Sequence, residues 1–417
     1  MSNNPFTSQT FVETWSKHFN NSNVGFTFKF INNVSFYKKK YLPYYVNIGD
    51  KLTNGISYSL SNNHYRDYVG KVFLIRDIPS YFNLNTINVK SKLKLKKIVQ
   101  YKGYTTKIGE YDSLEHYMST IFKSNSRSKF RRNIKRLEAS FDVDYIMFFG
   151  SIQKIEFDLI FKEFYKLLEK RYLFKQESCG ELNPKLWAYY CELAFKMIHE
   201  RAASLFVIYS NKKPIGITFS YHFDKILVEA LTVFDIDYYR YNIGHTTIMK
   251  MLDWSFKNGI EIFDYTQGDF EYKKRWSSSE YSTCFHLLYD SQSIKSKFLV
   301  NFIIIYYNVK RKLRDKKLTN SYRNFMHRLT SLFKKTPGKN EAYSVKIIHD
   351  EIPDINSLTV INMHSKIFAS QRKAIYDFLY MNPEPAKAIK VYKLDGLNNV
   401  YYAFGELNTL KIIKDEV

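Results

Sequence analysis

Cysteine is scarce in this chain. Cys179, Cys191 and Cys284 are far apart and form no CxxC pair. A disulfide framework and a thiolate zinc site are therefore excluded, and a reducing, cytoplasmic compartment is expected. No unbroken apolar run reaches the ~18 residues that a membrane-spanning helix needs. The opening, MSNNPFTSQTFVETW, has neither a basic n-region nor an apolar h-region, so export by a signal peptide is not expected. Catalytic signatures are missing as well. There is no GxxxxGK[ST], no GxSxG, no HExxH and no two-plus-two Cys/His set, which argues against kinase, P-loop ATPase, serine hydrolase and structural zinc readings. His64-Tyr65-Arg66-Asp67 is HxxD without the longer gap of glycerolipid acyltransferases, and His222 is followed four positions on by Ile226, so HxxxD is absent.

What remains is an ordinary globular composition, 45% apolar and 25% charged over 417 residues, enough for two or three domains. Its charge is not ordinary: 63 Lys+Arg against 40 Asp+Glu give +23. Such an excess points to an anionic partner, whether nucleic acid, an acidic carrier protein, a phosphorylated cofactor or anionic lipid. The excess is confined to two patches. KSNSRSKFRRNIKR (residues 123–136) holds seven bases and no acid, and residues 291–340 hold thirteen bases against Asp315 alone. In the second patch Leu318, Tyr322, Phe325, Leu329 and Leu332 recur at helical spacing, downstream of the apolar run FLVNFIIIYY. A basic amphipathic helix packed on the body is one reading; a helix lying in an anionic membrane surface is the other.

The pattern along the chain is mixed α/β. A short helix at 8–18 precedes strand-like runs at 25–31, 70–78 and 96–107. A helical region (114–138) carries the first basic patch, and FDVDYIMFF (141–149) reads as a strand. Two helical segments (157–170 and 184–199) then lead to SLFVIYSN-KK-PIGITFSYHF, two strands joined by a tight hairpin, and to a third strand, KILVEALTVF. A loop, a helix closed by Asn258-Gly259 and the strand IEIFDYTQ complete a βαβ-like unit. KKTPGKNE (334–341) is a linker, and 342–417 reads as a small α+β appendage with one helix at about 367–379. The expected domains are 1–140, 141–290, a basic segment at 291–340, and 341–417.

Three places carry candidate chemistry. Ile243-Gly244-His245-Thr246-Thr247 puts a glycine at a helix start after a strand, where free amides and the helix dipole favour an anion; an ordinary helix entry is the plain alternative. FDYTQGDFEYKKRW (263–276) concentrates acids, bases and aromatics after the last strand of the unit, at the end of the sheet where ligands gather; a salt-bridged polar loop would look the same. His222 and Glu229 fall on adjacent predicted strands, and either suits a general base, although a strand histidine is more often structural.

Taken together, Phe263-Asp264, Gly268 and Tyr272-Lys273-Lys274-Arg275-Trp276 resemble the C-terminal catalytic half of the GNAT acyltransferase superfamily, in the branch related to the cellulose-biosynthesis CelD protein. The opening NPFTSQTFVETWSKHF and the Arg-rich SRSKFRRNIKRLE (126–138) are similar to that branch, and the resemblance spans about 1–290. Tandem GNAT-like halves also occur in the Fem peptidyltransferases. The usual Q/R-x-x-G-x-G/A loop departs here to Tyr241-x-x-Gly244-x-Thr246, with Arg240 one place early.

The resemblance implies an α/β (α+β) fold of tandem GNAT-like domains with mixed central sheets. It also implies N-acyl transfer from acyl-CoA or acyl carrier protein to a small amine by direct attack on the thioester, with no metal. It assigns Asp269 as base or amine-orienting group, Lys273 as anion stabiliser and His222 as reserve base. Arg240, Asn242, Gly244, His245 and Thr246 would hold the donor, and Arg127, Arg131, Arg132, Asp264, Gln267, Tyr272 and Trp276 the substrates. Peripheral contact with the inner membrane through 291–340 is expected, and nucleic acid is not an expected partner. A non-catalytic GNAT component of an envelope or polysaccharide pathway and a tRNA-dependent Fem-type transferase are the alternatives.

Overall fold

The computed structural model describes residues 4–84, 92–316, 343–348, 353–363, 365, 368, 371–397, 399–406 and 408–414. The stripe from Leu318 to Leu332 and the KKTPGKNE linker lie outside the described residues.

Ten strands make one mixed sheet. In chain order they are β1 (Phe36–Lys38), β2 (Tyr45–Asn47), β3 (Val72–Pro79), β4 (Leu93–Lys107), β5 (Val143–Phe148), β6 (Ala203–Ser210), β7 (Lys213–Phe223), β8 (Ile226–Phe234), β9 (Ile262–Gln267) and β10 (Ser279–Asp290). Across the sheet the order is β1-β2-β3-β10-β4-β9-β8-β7-β6-β5. β10 comes late in the chain yet lies between β3 and β4, and β4 in turn pairs with β9. All of these pairings are antiparallel except β2–β3 and β8–β9.

Eight helices dress the sheet: α1 (Gln9–Phe19), α2 (Leu114–Ile121), α3 (Ser124–Ser140), α4 (Lys154–Lys175), α5 (Pro184–His199), α6 (Ile243–Lys257), α7 (Glu271–Trp276) and α8 (Ile294–Asp315). Local chemistry sets their ends. Ser8, Ser113, Asn183 and Ser293 cap α1, α2, α5 and α8 with their side-chain oxygens, and Pro184 occupies the first turn of α5. The β6–β7 hairpin turns on Asn211 and Lys212, both at positive φ, the geometry that matches strand twist in a two-residue loop. Gly259 (φ +68°) follows α6 as expected of a left-handed stop.

Two local expectations change. Residues 25–31 form no extended strand: Phe26 makes an isolated antiparallel bridge to Phe36 and Ile31–Asn32 pairs with Ser59–Leu60, while between them Phe28 and Phe30 turn their rings onto Phe73 at 4.8 and 4.9 Å. The helical region 114–138 is broken at Phe122, whose extended backbone lets its ring pack on Trp276 (4.7 Å) and Phe130 (5.2 Å). The aromatic richness of the chain is largely absorbed by such ring clusters in the core.

One apolar core lies under α1, α4 and α5, and another lies under α2, α3 and α6. A five-stranded antiparallel sheet with helix α9 (Arg372–Met381) extends the second core, since Ile375, Leu379 and Tyr401 join Phe141 and Tyr241 there. The chain is thus α+β, with a large mixed sheet and a small second sheet.

Candidate functional site

β8 and β9 are parallel neighbours for three residues only, Ile226–Val228 against Ile262–Asp264. Beyond Val228 and Asp264 the ladder stops. A bulge at Ala230 shifts β8 against β7, and a second irregularity after Asp264 shifts β9 against β4. Two bulges at one place re-aim side chains and part the strands. A cavity of about 250 Å³ opens there, lined by Glu229, Thr232 and Phe234 of β8, the first turn of α6, Tyr272 of α7 and Arg171 of α4.

Glu229 is the buried carboxylate of this cavity, 6% exposed, and its Oε2 has no hydrogen-bond partner. Burial pushes its pKa from 4.5 up to about 7; Lys273 opposes that rise and Asp264 adds to it. Lys273 is also buried, and desolvation lowers its pKa while Glu229 and Asp264 hold it up. Its ammonium donates to the carbonyl of Gln267 (2.8 Å) and to Thr266 Oγ1 (3.2 Å).

The turn that carries those acceptors is built by Asp264. Fully buried, Asp264 accepts hydrogen bonds from Tyr81 (2.7 Å), Tyr281 (2.8 Å) and the backbone N–H of Thr266 (2.7 Å). Burial raises its pKa to about 6 against the pull of these donors. Thr266 is held at φ +62°, and Gly268 follows at φ +121°, where a Cβ would come within 2.9 Å of the Phe270 ring.

The expected site residues separate into those the fold brings together and those it does not. Asn242, Gly244, His245 and Tyr272 line the cavity. The N–H groups of His245 and Thr246 are taken by the Asn242 carbonyl (2.9 and 3.3 Å). The amides free of backbone partners at this helix start are therefore those of Ile243 and Gly244. Gly244 also stands against Phe234, where a Cβ would meet the ring at 3.3 Å. His245 accepts at Nδ1 from Trp276 Nε1 (2.9 Å), and burial with nearby Arg275 and Lys129 depresses its pKa to about 4, so it is neutral.

Other expected residues lie away from this cavity. Arg240 points away toward α9, ion-paired with Asp377 at 3.5 Å. Asp269 is exposed, bound by Lys274 (2.7 Å) and Tyr104 (3.0 Å), which hold its carboxyl below the ordinary range; a base needs the reverse. His222 shares a sheet face with Glu229 but sits at the far end of α6. Its Nε2 is bonded to Ser204 (2.7 Å), its ring packs on Phe149 and Trp254, and burial drives its pKa to about 3.

Asp264 and Trp276 are fully buried and touch the site only through other residues. The Trp276 carbonyl accepts from Thr106 (2.8 Å) and from the Tyr117 hydroxyl, anchoring α7. Gln267 contributes its carbonyl to Lys273. Of the arginines, Arg131 pairs with Glu115 (2.6 Å) and Arg132 is exposed. Arg127 lies near the start of α3, whose Phe130 packs on His245 and Trp276 (5.2 and 5.3 Å). Arg171 escaped the sequence reading altogether, because nothing in the spacing of α4 ties that helix to β8; its guanidinium lies 4.9 Å over the Phe234 ring. Among the described residues no group of three or more His, Cys, Asp or Glu is placed to hold a metal.

Comparison with known proteins bears on the part of the chain that holds this cavity. Residues 124–274 match the family model described as an acetyltransferase (GNAT) domain. No curated protein matches the sequence. Among solved structures, FemX is similar at 12% identity and a TM-score of 0.45, over 64% of this chain and 85% of that one. A conserved protein of unknown function from Bacteroides thetaiotaomicron VPI-5482 follows at 9% identity and 0.42, over 68% and 90% of the two chains. The C-terminal domain of a putative lysylphosphatidylglycerol synthetase from Agrobacterium fabrum gives 8% and 0.42, over 66% and 84%. The stretch that resembles the acetyltransferase (GNAT) domain model runs from α3 into α7 and contains the parted β8–β9 pair and the helix that starts beside it.

Proposed function

We propose that the protein is an N-acyltransferase that moves an acyl group from acyl-CoA to a small amine, with Glu229 as general base. The observation that carries this reading is a buried glutamate, one oxygen unpartnered and its pKa raised to about 7, facing the cavity where the parallel strands part. A base poised near the working pH is what deprotonation of an ammonium requires. Burying an ionisable carboxyl without a hydrogen bond is costly, and a purely structural position would have no use for it.

In the proposed reaction the donor's thioester enters between β8 and β9, and its phosphates approach the start of α6, where the Ile243 and Gly244 amides and the helix dipole meet them. Glu229 takes a proton from the bound ammonium, and the amine nitrogen attacks the thioester carbonyl. The tetrahedral intermediate collapses to the amide as its nitrogen gives up the remaining extra proton to the departing CoA thiolate, and Glu229 returns the first proton to solvent. No enzyme nucleophile is needed, in keeping with Cys179 and Cys191, whose thiols burial raises to about 12 and about 11. Lys273 acts as a positioning residue: it keeps Glu229 from being neutralised altogether and ties α7 to the Thr266–Gly268 turn. Within the superfamily we place the chain in the CelD-related branch, on Phe263-Asp264, Gly268 and Tyr272–Trp276. We keep 1–140, 141–290, 291–340 and 341–417 as proposed units.

The test is thioester turnover. Purified protein is given acyl-CoAs of increasing length with a panel of amino acids and amino sugars; free thiol and the mass of the amide product are followed. Acyl carrier protein thioesters form the comparison arm. Thiol release matched by an amide product supports the reading. The absence of both, together with no binding of any acyl-CoA, would sink it.

A further inference from the structure

α8 has two apolar faces, and the described residues pack on one of them. Val300, Ile303 and Tyr307 pack on β3, β4 and β10 beside Leu74, Ile98 and Leu287. Nearly opposite, Ile294, Phe298, Phe302, Ile305, Tyr306 and Val309 are between 50 and 74% exposed. At 3.6 residues per turn these six positions fall within roughly 120° of the helix circumference, a continuous outward stripe. Scattered surface apolar residues need no explanation, but a stripe along a whole helix marks a contact surface.

The charges around the stripe say what it contacts. α8 carries six Lys/Arg and one acid. Lys295, Lys297, Lys310 and Lys312 form no ion pair with any described residue, and Lys310 stays 5.9 Å over the Tyr306 ring at the stripe's edge. Lys94 and Lys96, exposed on β4, register opposite Tyr289 and Leu287 and so stand on the sheet face that α8 covers. An apolar centre rimmed by exposed cations is complementary to acyl chains beneath a layer of anionic headgroups. No described helix is long and apolar enough to cross a bilayer. We propose that α8 lies on the surface of an anionic phospholipid bilayer, its outward stripe in the headgroup–acyl boundary and its lysines on the phosphates. This surface is separate from the cavity at Glu229, so it stands whether or not the chain transfers acyl groups.

The experiment is co-sedimentation of the full chain with two kinds of vesicle, pure phosphatidylcholine and phosphatidylcholine containing one third phosphatidylglycerol. The proposal expects binding to the anionic vesicles only, weakened by salt. Phe298→Asp with Phe302→Asp should cut the affinity on the order of a hundredfold. Lys310→Gln and Lys312→Gln should each cut it roughly fivefold. Because all four residues are exposed, the thermal midpoint should not move. If the aspartate pair fails to fold, the lysine variants still decide. Equal binding to both vesicles, no binding to either, or unchanged affinity in the variants would overturn the proposal. So would a dimer that the aspartate pair dissolves, since a second copy would then be what covers the stripe.

Discussion

A carboxylate held in a dry place should weaken the fold that holds it, and Glu229 allows that cost to be measured. Its ordinary value is 4.5 and burial raises it to about 7 in the folded protein. A group whose pKa is raised by folding contributes stability that is fully present below the unfolded value and is lost as pH rises through the folded one. The wild-type protein should therefore lose stability between pH 4.5 and about 7, by at most about 3 kcal/mol from this one residue. Glu229→Gln keeps the shape and removes the ionisation. At pH 8 the variant should be more stable than wild type by up to that amount, since the raised value of about 7 already includes the attraction of Lys273. At pH 4.5 the two should differ little. Urea unfolding at both pH values, compared at equal slope, gives the difference directly. If the glutamine variant is no more stable at pH 8 than wild type, or if the difference does not change with pH, Glu229 is not the strained, buried acid described above.

Other consequences concern the neighbouring residues. Lys273→Met removes the cation that lowers the Glu229 pKa, so the acid limb of the pH–rate profile should move to higher pH, with kcat falling at neutral pH and recovering in part at alkaline pH. An unmoved limb would show that the two groups do not interact. Asp269→Asn should leave thiol release within about a factor of two of wild type, because an exposed, ion-paired carboxylate gives little to catalysis; a large loss would return the base to that position.

Much of the architecture was legible in the order of strands and helices from residue 203 onward. The Asn211-Lys212 hairpin, the helix ending at Asn258-Gly259 and the strand bearing Phe263-Asp264 carry local signals that the tertiary structure leaves in place. Residues 25–31 misled because alternating aromatics read as a strand, whereas ring packing on Phe73 decided their path. At the site, the sequence drew attention to FDYTQGDFEYKKRW but not to which of its acids mattered. Asp264 and Asp269 look equivalent in sequence. Only the three-dimensional arrangement shows one fully buried on two tyrosines and the other in solvent beside Lys274.

Glu229 was visible as a strand acid next to His222, yet the bulge at Ala230 and the parting of β8 from β9 have no signature at that spacing. Arg171 and Arg240 teach the same lesson in opposite directions. Long-range packing brought the first into the cavity and gave the second to α9.

The most direct test of the central claim is the pH dependence of kcat/KM for acyl-CoA thiol release, in wild type and in Glu229→Gln. The account predicts that the wild-type rate rises with pH and levels off near pH 7. In the variant that limb should vanish and the rate should fall by roughly a hundredfold to ten-thousandfold. A variant that keeps both the limb and the rate would contradict it.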